Sequence, residues 1–331
     1  MKLMLIKESA SYDITNAVTR IEWSGSAYAA ARQLSFDYIN APFDNFKLPQ
    51  VSTGDFISFT PDKEEVFYGQ IFGSERSSAI GTISYTAYDC MKNLLESTGQ
   101  YNFKNLPAET IAQMVCADAQ IPVRWLYPTG INIASMLCDD MSLYDIIMAA
   151  YTKAHLIDGK KYFPMVYKRG FAVYSMEWSV AGFVLSDNVN LTETSIVETL
   201  DSIVNKVKIY GQDGQQTGEV ENPVSTSKYG IYQAIYKVEE GVDPNQAANN
   251  MLSTMPKQEI KISALGDINC LSCYFVTVSD AATGLAGKYW ISSDSHVWEN
   301  GAYTMDLDLK FDAIMETVES STETEEEGKK S

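Results

Sequence analysis

Hydrophobic and polar residues alternate most regularly near the end of the chain. From Tyr303 to Phe311 every second residue is apolar, and Thr, Asp and Lys residues fill the positions between. Since successive side chains of a strand point to opposite faces, this run predicts a strand with one buried and one wet face. Asn300-Gly301, just before it, tolerates the positive φ angles of a type I′ turn. We therefore predict a hairpin in which Lys288–Trp298 pairs with the final run.

The same two-residue period recurs in residues 1–88. Apolar positions alternate or cluster in Leu34–Tyr38, Phe67–Phe72 and Ile83–Ala87, and Met1–Glu8 predicts a strand rather than a signal peptide. Strands spaced in this way predict a small barrel or sandwich. The turn signals between them are Ser24-Gly25, Ala41-Pro42, Thr53-Gly54-Asp55 and Phe72-Gly73.

Helical periodicity replaces this pattern after residue 88. Asp89 caps one predicted helix, and Pro107 opens a second that ends before Pro122. Ser142 and Asp145 form a capping box for a third. The positions expected to face the core are Met91, Leu94, Leu95, Ile111, Met114, Val115, Leu143, Ile146, Ile147, Ala150 and Tyr151.

A predicted hairpin completes this α/β insertion, which we place at residues 89–190. Arg169-Gly170 lies between two β-type runs, Tyr162–Lys168 and Phe171–Trp178. Both runs are rich in aromatic and β-branched residues, as strands usually are.

The two-residue period returns from about residue 200. Val207–Ile209 and Ile260–Ala264 both alternate apolar with polar residues. One predicted helix interrupts them, with Asp243-Pro244 as its N-cap and first turn and Met255-Pro256 as its end.

Together these regions predict a β-rich α+β protein. We expect a β unit at 1–88, an α/β insertion at 89–190, a second β unit with one helix at 191–315, and a tail at 316–331. The tail has six Glu against two Lys, which predicts a segment that is flexible until bound. The two β units have a similar makeup but no letter-by-letter repeat.

Charge and cysteine content narrow the classes of partner. The chain has 43 acidic and 25 basic residues, a net charge of −18 that repels nucleic acid and anionic lipid. No apolar run is long enough to span a membrane, so no membrane anchor is expected. Five scattered cysteines favour reduced thiols in a cytoplasm.

Two histidines are the first candidates for catalysis. His155 lies near the end of a predicted helix, where a cation complements the helix dipole, and we predict a structural role. Ser293-Asp294-Ser295-His296 contains the residue types of a Ser-His-Asp triad near a hairpin tip. Because a triad depends on the fold rather than on local clustering, we interpret this segment as an ordinary polar turn.

Other motifs favour structural roles as well. Cys270 and Cys273 have the spacing of a zinc half-site or redox pair but lack a second pair of ligands, and we predict small buried residues entering a strand Cys273–Val278. The acidic pairs Asp139-Asp140, Glu239-Glu240 and Asp306/Asp308 have the residue types of glycosidase carboxylates, but Asp306 and Asp308 share one strand face, and we interpret them as a solvated or subunit-facing stripe. Asn190 begins a glycosylation sequon that is relevant only to a secreted chain. No phosphate-binding loop is present. We therefore predict no catalytic, cofactor-binding or metal-binding residue and no enzymatic activity.

A series of short segments, in order along the chain, resembles the PBSX-type (XkdQ/YqbQ-like) phage tail hub family. They are Ile21–Gly25, Ala30–Phe36, Gly54-Asp55, Phe67–Phe72, Tyr85–Asp89, Ser142–Ile147, Val204–Val207, Ala264–Asp267, Ser293–His296 and Tyr303–Leu307. This family is similar to late-control-protein-D and VgrG-type hubs of contractile tails.

The resemblance implies a homotrimeric hub in which each chain carries two tube-like antiparallel β-barrels flanking the insertion. Three chains then present six barrels, a pseudo-hexameric ring between the six-fold tail tube and the three-fold spike. It implies tube, spike and other baseplate proteins as partners, with no stable nucleic-acid binding although DNA passes through. The location implied is the tail baseplate of a virion or tail-like particle, assembled in the bacterial host cytoplasm.

Alternatives from other classes remain open at this point. A helix and hairpin at 142–178 resemble a LysM unit, which favours a peptidoglycan- or glycan-binding module. A cell-wall hydrolase associated with a tail is the enzymatic alternative. We also expect the net acidity to line part of the central channel, and the Glu-rich tail to contact the spike or neighbouring baseplate proteins.

Overall fold

The computed structural model describes residues 1–40, 47–77, 81–176, 183–238 and 243–321. The chain forms two compact units, one of Met1–Thr194 with Lys261–Ser331 and one of Ser195–Ile260. Strands far outnumber helices, which confirms the β-rich α+β class. The predicted division at residues 88, 190 and 315 stays a prediction.

Alternating buried and exposed side chains form the first β region. Its strands are β1 (Lys2–Ile6), β2 (Ser11–Asp13), β3 (Val18–Ser26), β4 (Ala29–Ile39), β5 (Phe56–Thr60), β6 (Phe67–Arg76) and β7 (Thr82–Tyr88), with a short 3-10 helix at Thr15–Ala17. Leu34, Phe36 and Tyr85 lie in its buried core, as their alternation predicted.

The insertion packs three helices against short strands. Its elements are α1 (Met91–Glu96), β8 (Thr98–Pro107), α2 (Ala108–Asp118), β9 (Val123–Leu126), β10 (Asn132–Ser142), α3 (Leu143–Asp158), β11 (Tyr162–Tyr167) and β12 (Gly170–Ser175). Helix α3 starts as predicted, since the Ser142 hydroxyl accepts the backbone N–H of Asp145 at 2.9 Å. It ends at Gly159, whose φ of 72° suits a left-handed C-cap. Helix α3 and strand β10 both contribute to the insertion core.

The second β region begins after the insertion. Its strands are β13 (Val184–Ser186), β14 (Leu191–Thr199), β18 (Lys257–Leu265), β19 (Phe275–Asp280), β20 (Leu285–Glu299) and β21 (Ala302–Lys310). Asn300 and Gly301 have φ angles of 52° and 77°, and Trp298 pairs with Tyr303 across them. The predicted hairpin is therefore confirmed.

One sheet of 13 strands joins the two β regions. Strand β20 pairs with β3 in an antiparallel register that runs from Ser293–Ser26 to Glu299–Arg20. Beyond β3 the order continues through β4, β7, β6, β5, β1 and β2. Among the described residues the strand pairings leave this sheet open, so the closure of each region into a barrel is not observed.

The second unit has a small core of its own. Strand β15 (Lys206–Tyr210) is central, antiparallel to β16 (Gln216–Glu221) and parallel to β17 (Gln233–Lys237). Val207 and Ile209 pack with Ala248 of helix α5 (Pro244–Asn250). Asp243 caps α5 as predicted, but the helix ends at Asn250 rather than near Met255. Helix α4 (Pro223–Tyr229), capped by Asn222, was not predicted.

Two predicted turns are wrong, because glycine serves another purpose there. Ser24-Gly25 lies inside β3, where a Cβ on Gly25 would come within 2.2 Å of the Arg32 guanidinium. Phe72-Gly73 lies inside β6, beside a register shift that marks a bulge. Thr53-Gly54 does form a turn, and Gly54 has a φ of 93°.

Smaller corrections concern the insertion. Met114 is 43% exposed rather than inward, because it falls on the outer side of α2. The β11–β12 turn is centred on Lys168 and Arg169, with φ angles of 46° and 62°, one residue before the predicted Arg169-Gly170. Ala41-Pro42, Trp178 and Glu239-Glu240 lie outside the described residues.

Candidate functional site

A buried cluster of charged side chains lies where β3 joins the two β regions. Arg32 comes from β4, and Asp294 and His296 come from β20, on the two sides of β3. Gly25 of β3 lies opposite Asp294. Because Gly25 has no side chain, the Arg32 guanidinium can cross β3 and reach Asp294.

Arg32 and Asp294 form a bidentate ion pair in the protein interior. Nη1 of Arg32 donates to Oδ1 of Asp294 at 3.1 Å, and Nη2 donates to Oδ2. The backbone N–H of Ser272 donates to the same carboxylate at 2.6 Å. The guanidinium also stacks on the Trp23 ring, 4.1 Å from its centroid. Since Arg32 is only 8% exposed and Asp294 only 3%, each charge depends on the other for compensation.

His296 extends the cluster and is fully buried. Its Nε2 lies 3.3 Å from Oδ2 of Asp294 and 3.1 Å from the carbonyl oxygen of Cys270. Both neighbours are acceptors, so Nε2 carries a hydrogen and donates. Its Nδ1 lies 2.9 Å from the hydroxyl of Tyr303, which can donate to it. Each ring nitrogen therefore has a partner.

The electrostatics of the cluster keep Asp294 ionised. Burial acts to raise the pKa of this carboxyl, but the charge of Arg32 and hydrogen bonds from His296 and Arg32 lower it to about 2. Nearby Asp89 differs, because burial outweighs its hydrogen bonds from Met91 N–H and Arg32 N–H and raises its pKa to about 7.

The segment Ser293–His296 does not form a Ser-His-Asp triad. Strand alternation places the two serines on the face opposite Asp294 and His296. Ser293 donates to Asp308 at 2.6 Å, and Ser295 donates to Glu22 at 2.9 Å. The histidine also lies within strand β20 rather than in the turn. We infer a structural cluster that fixes the β3–β20 junction.

The remaining candidates also have structural partners. Nδ1 of His155 lies 2.8 Å from the Lys160 carbonyl oxygen, in the last turn of α3. Cys270 is buried and Cys273 is partly buried, and burial raises both thiol pKa values to about 12. They lie in the loop before β19, which begins at Phe275 rather than at the predicted Cys273. Among the described residues no group of His, Cys, Asp and Glu is arranged to hold a metal ion.

The acidic residues of these pairs that the structure describes lie at or near the surface. Asp306 accepts from Ser263 at 2.5 Å, and Asp139 accepts from Gln100 at 2.5 Å. Asp140 is exposed, with a φ of 49°. The sequon residue Asn190 instead bonds the backbone of Val184 and Ser186. Within the described ranges, no helix is long and apolar enough to cross a membrane.

A β-rich fold of this kind is found in phage tail proteins. The 43 kDa tail protein of prophage MuSo2 from Shewanella oneidensis has a similar structure, with a TM-score of 0.68 and 16% identity over 94% of this chain and 98% of that one. The E. coli c3393 protein, a type VI secretion component described as similar to the T4 tail proteins gp27 and gp5, has a TM-score of 0.55 and 8% identity over 92% of this chain and 76% of that one.

Sequence similarity identifies the family. Residues 21–310 match the YQBQ-like family model, and the chain belongs to this family. The Phage-like element PBSX protein XkdQ of Bacillus subtilis (strain 168) is 25% identical over 320 residues, covering 93% of this chain and 96% of XkdQ. The resemblance found in the sequence is thereby confirmed.

Arg32 is the cluster residue that sequence reasoning missed. It lies within one of the segments that resemble the hub family, and Gly25 and Asp294 lie in two others. A signal was therefore present, because a glycine inside a strand often marks a close approach by another group.

Proposed function

We propose that this protein is a structural hub subunit of a tail baseplate. Three copies form a pseudo-hexameric ring that joins the six-fold tail tube to the three-fold spike. The chain acts by shape and assembly and not by catalysis. Its location is the tail of a virion or of a tail-like particle, with assembly in the host cytoplasm.

The observation that carries this proposal is the arrangement of two β regions around one insertion. Both regions enter a common sheet through the β3–β20 pairing, so each chain offers two β surfaces held in a fixed relation. A trimer of chains that each present two β surfaces offers six surfaces to a six-fold partner. Whole-length similarity to tail proteins supports the same assignment.

Burial of the charge cluster supports a non-enzymatic role. His296 and Asp294 are sealed from solvent, and Arg32 holds Asp294 in its ionised form. Their hydrogen bonds connect β20 with β4 and with the loop around Ser272, which is a structural role.

The net charge of −18 suits a ring through which DNA passes without adhering. We propose that acidic residues line part of the channel. A surface-potential map of the assembled ring tests this point, and a basic channel would contradict it.

Gold labelling of a tagged chain in electron micrographs tests the proposed location. We expect label at one end of the tube, where the spike begins. Label along the tube, at the head or away from particles would contradict the proposal. Binding of the purified chain to cell-wall sugars, or clearing in a zymogram, would instead support the glycan-binding or hydrolase alternatives.

A further inference from the structure

The C-terminal segment lies across the insertion without joining a sheet. Residues 312–321, here called the C-terminal strap, follow β21 without forming a helix or a strand. They pack onto the insertion core through Met315 and Val318, three residues apart. A flexible tail was predicted from Glu316, but residues 316–321 are packed, and 322–331 lie outside the described residues.

Five hydrogen bonds hold the strap, and they come from separate elements of the insertion. Two use the main chain of the strap, since Lys161 Nζ donates to the Ala313 carbonyl at 2.5 Å and Val318 N–H donates to Thr152 at 3.1 Å. Two involve strap side chains, because Tyr144 donates to Glu316 at 2.8 Å and the Tyr162 N–H lies 3.3 Å from the Met315 sulfur.

The fifth hydrogen bond fixes the end of the strap against β10. The backbone N–H of Asp139 donates to the Ser321 hydroxyl at 3.1 Å, and Leu137 forms an isolated antiparallel bridge with Ser321. The strap therefore meets the edge of β10 as the first residue of an added strand would.

A groove lies beside the strap, and residues of the strap form part of its lining. Its volume is about 370 Å³, and Met136, Thr152, Lys153, Leu156 and Val318 are among its lining residues. Leu156 is 77% exposed there. Lys153 lines this groove and Lys161 binds the strap, while the strap itself contains Asp312, Glu316 and Glu319. Of the strap carboxylates, Glu316 accepts a hydrogen bond from Tyr144, and β10 beside the groove carries Asp139 and Asp140.

We propose that the insertion carries a peptide-binding groove, and that the C-terminal strap is its resident, displaceable ligand. Recognition uses main-chain hydrogen bonds, two apolar side chains at positions i and i+3, and a carboxylate between them. Covalent attachment gives the strap a high effective concentration, so a competing peptide must outbind a tethered one.

Displacement has a direct chemical readout. Ile314 and Glu316 of the strap line a partly open cavity of about 40 Å³, and Cys273 and Tyr144 are among its other lining residues. Cys273 is partly buried, and burial raises the pKa of its thiol to about 12, which keeps the thiolate fraction low at neutral pH while the strap is in place. Release of the strap therefore exposes Cys273 to alkylation.

Val318→Asp in the full-length chain is the main test, because it places a charge against the insertion core. We expect amide hydrogen exchange over 313–321 to rise at least tenfold and Cys273 to alkylate at least tenfold faster. A labelled peptide of residues 312–321 should bind this variant and not the wild-type chain, whose groove is occupied. Thr317→Asp is the matched control, since Thr317 is exposed, and it should leave all three readouts unchanged.

Three outcomes overturn the proposal. The strap stays protected in Val318→Asp, or it is released and the peptide does not bind, or a peptide carrying the same Val318→Asp change binds equally well. If Val318→Asp also loses exchange protection in β20 and β21, Tyr144→Phe replaces it. That variant removes only the bond to Glu316 and should increase strap exchange and peptide binding above wild type, and no increase refutes the proposal.

Discussion

The β3–β20 junction and the C-terminal strap both join distant parts of the chain, but they do so differently. At the junction a continuous antiparallel ladder from Ser293 to Glu299 is backed by the buried Arg32–Asp294 pair. The strap is held by scattered hydrogen bonds and one isolated bridge. We expect a ladder backed by a buried charge cluster to open only with the whole fold, and separate contacts to open locally. The junction is therefore a permanent part of the fold, whereas the strap is a segment that can leave the insertion surface.

The largest expected effect is on the junction. Asp294→Ala leaves Arg32 buried without its counter-charge, and we expect the free energy of unfolding to fall by about 3–5 kcal/mol. Urea denaturation measures this change. Asp306→Ala, at an exposed position of the neighbouring strand β21, should cost less than about 1 kcal/mol. Equal losses in both variants would mean that the cluster does not hold the junction.

Acid should weaken the same pair. The folded pKa of Asp294 lies near 2, below the usual 3.8 of an aspartate, so its stabilisation is complete above about pH 4 and is lost as the pH falls toward 2. We expect the stability difference between wild type and Asp294→Ala to shrink by about 2 kcal/mol across this window. A difference that stays constant from pH 5 to pH 2 would contradict an ionised, paired Asp294.

The contribution of Asp89 to stability should change with pH in the opposite direction. Its folded pKa is raised from 3.8 to about 7, so the folded state binds more protons between these values and loses stability as the pH rises. The free energy of unfolding of Asp89→Asn should therefore rise relative to that of the wild type from pH 4 to pH 7. One pKa unit corresponds to about 1.4 kcal/mol. Asp62→Asn, an exposed control, should show no such gain. A parallel pH dependence in wild type and Asp89→Asn would refute the raised pKa.

The smallest effect concerns the strap. Burial, together with Glu316, raises the pKa of Tyr144, so its hydroxyl stays protonated and donates to Glu316. Tyr144→Phe removes this bond and should lower stability by about 1 kcal/mol. Hydrogen exchange should quicken in the strap but not in β20. Faster exchange in both regions would show that junction and strap open together.

Regular periodicity was enough to predict the β20–β21 hairpin, which lies beside the junction. Tyr303–Phe311 and Asn300-Gly301 identified the β20–β21 hairpin, because alternation and turn chemistry are local properties. Pairing of β20 with β3 depends on segments more than 260 residues apart, such as Ser26 and Ser292. No local pattern carries that information, so the join between the two β regions was not predicted.

The strap and the charge cluster were missed for similar reasons. Glu316 and its neighbours look like a disordered acidic tail by composition, and only the insertion surface gives Met315 and Val318 a place to pack. Ser24-Gly25 has the composition of a turn, and the reason for a glycine inside a strand is the Arg32 guanidinium that packs against it. In both cases a tertiary partner decides the role of a residue whose local pattern points elsewhere.

A cryo-electron microscopy reconstruction of intact particles tests the hub proposal most directly. We expect three copies of this chain in one ring at the junction of tube and spike, each presenting two β surfaces to the tube. Six copies, one copy, or a position away from that junction would contradict the account.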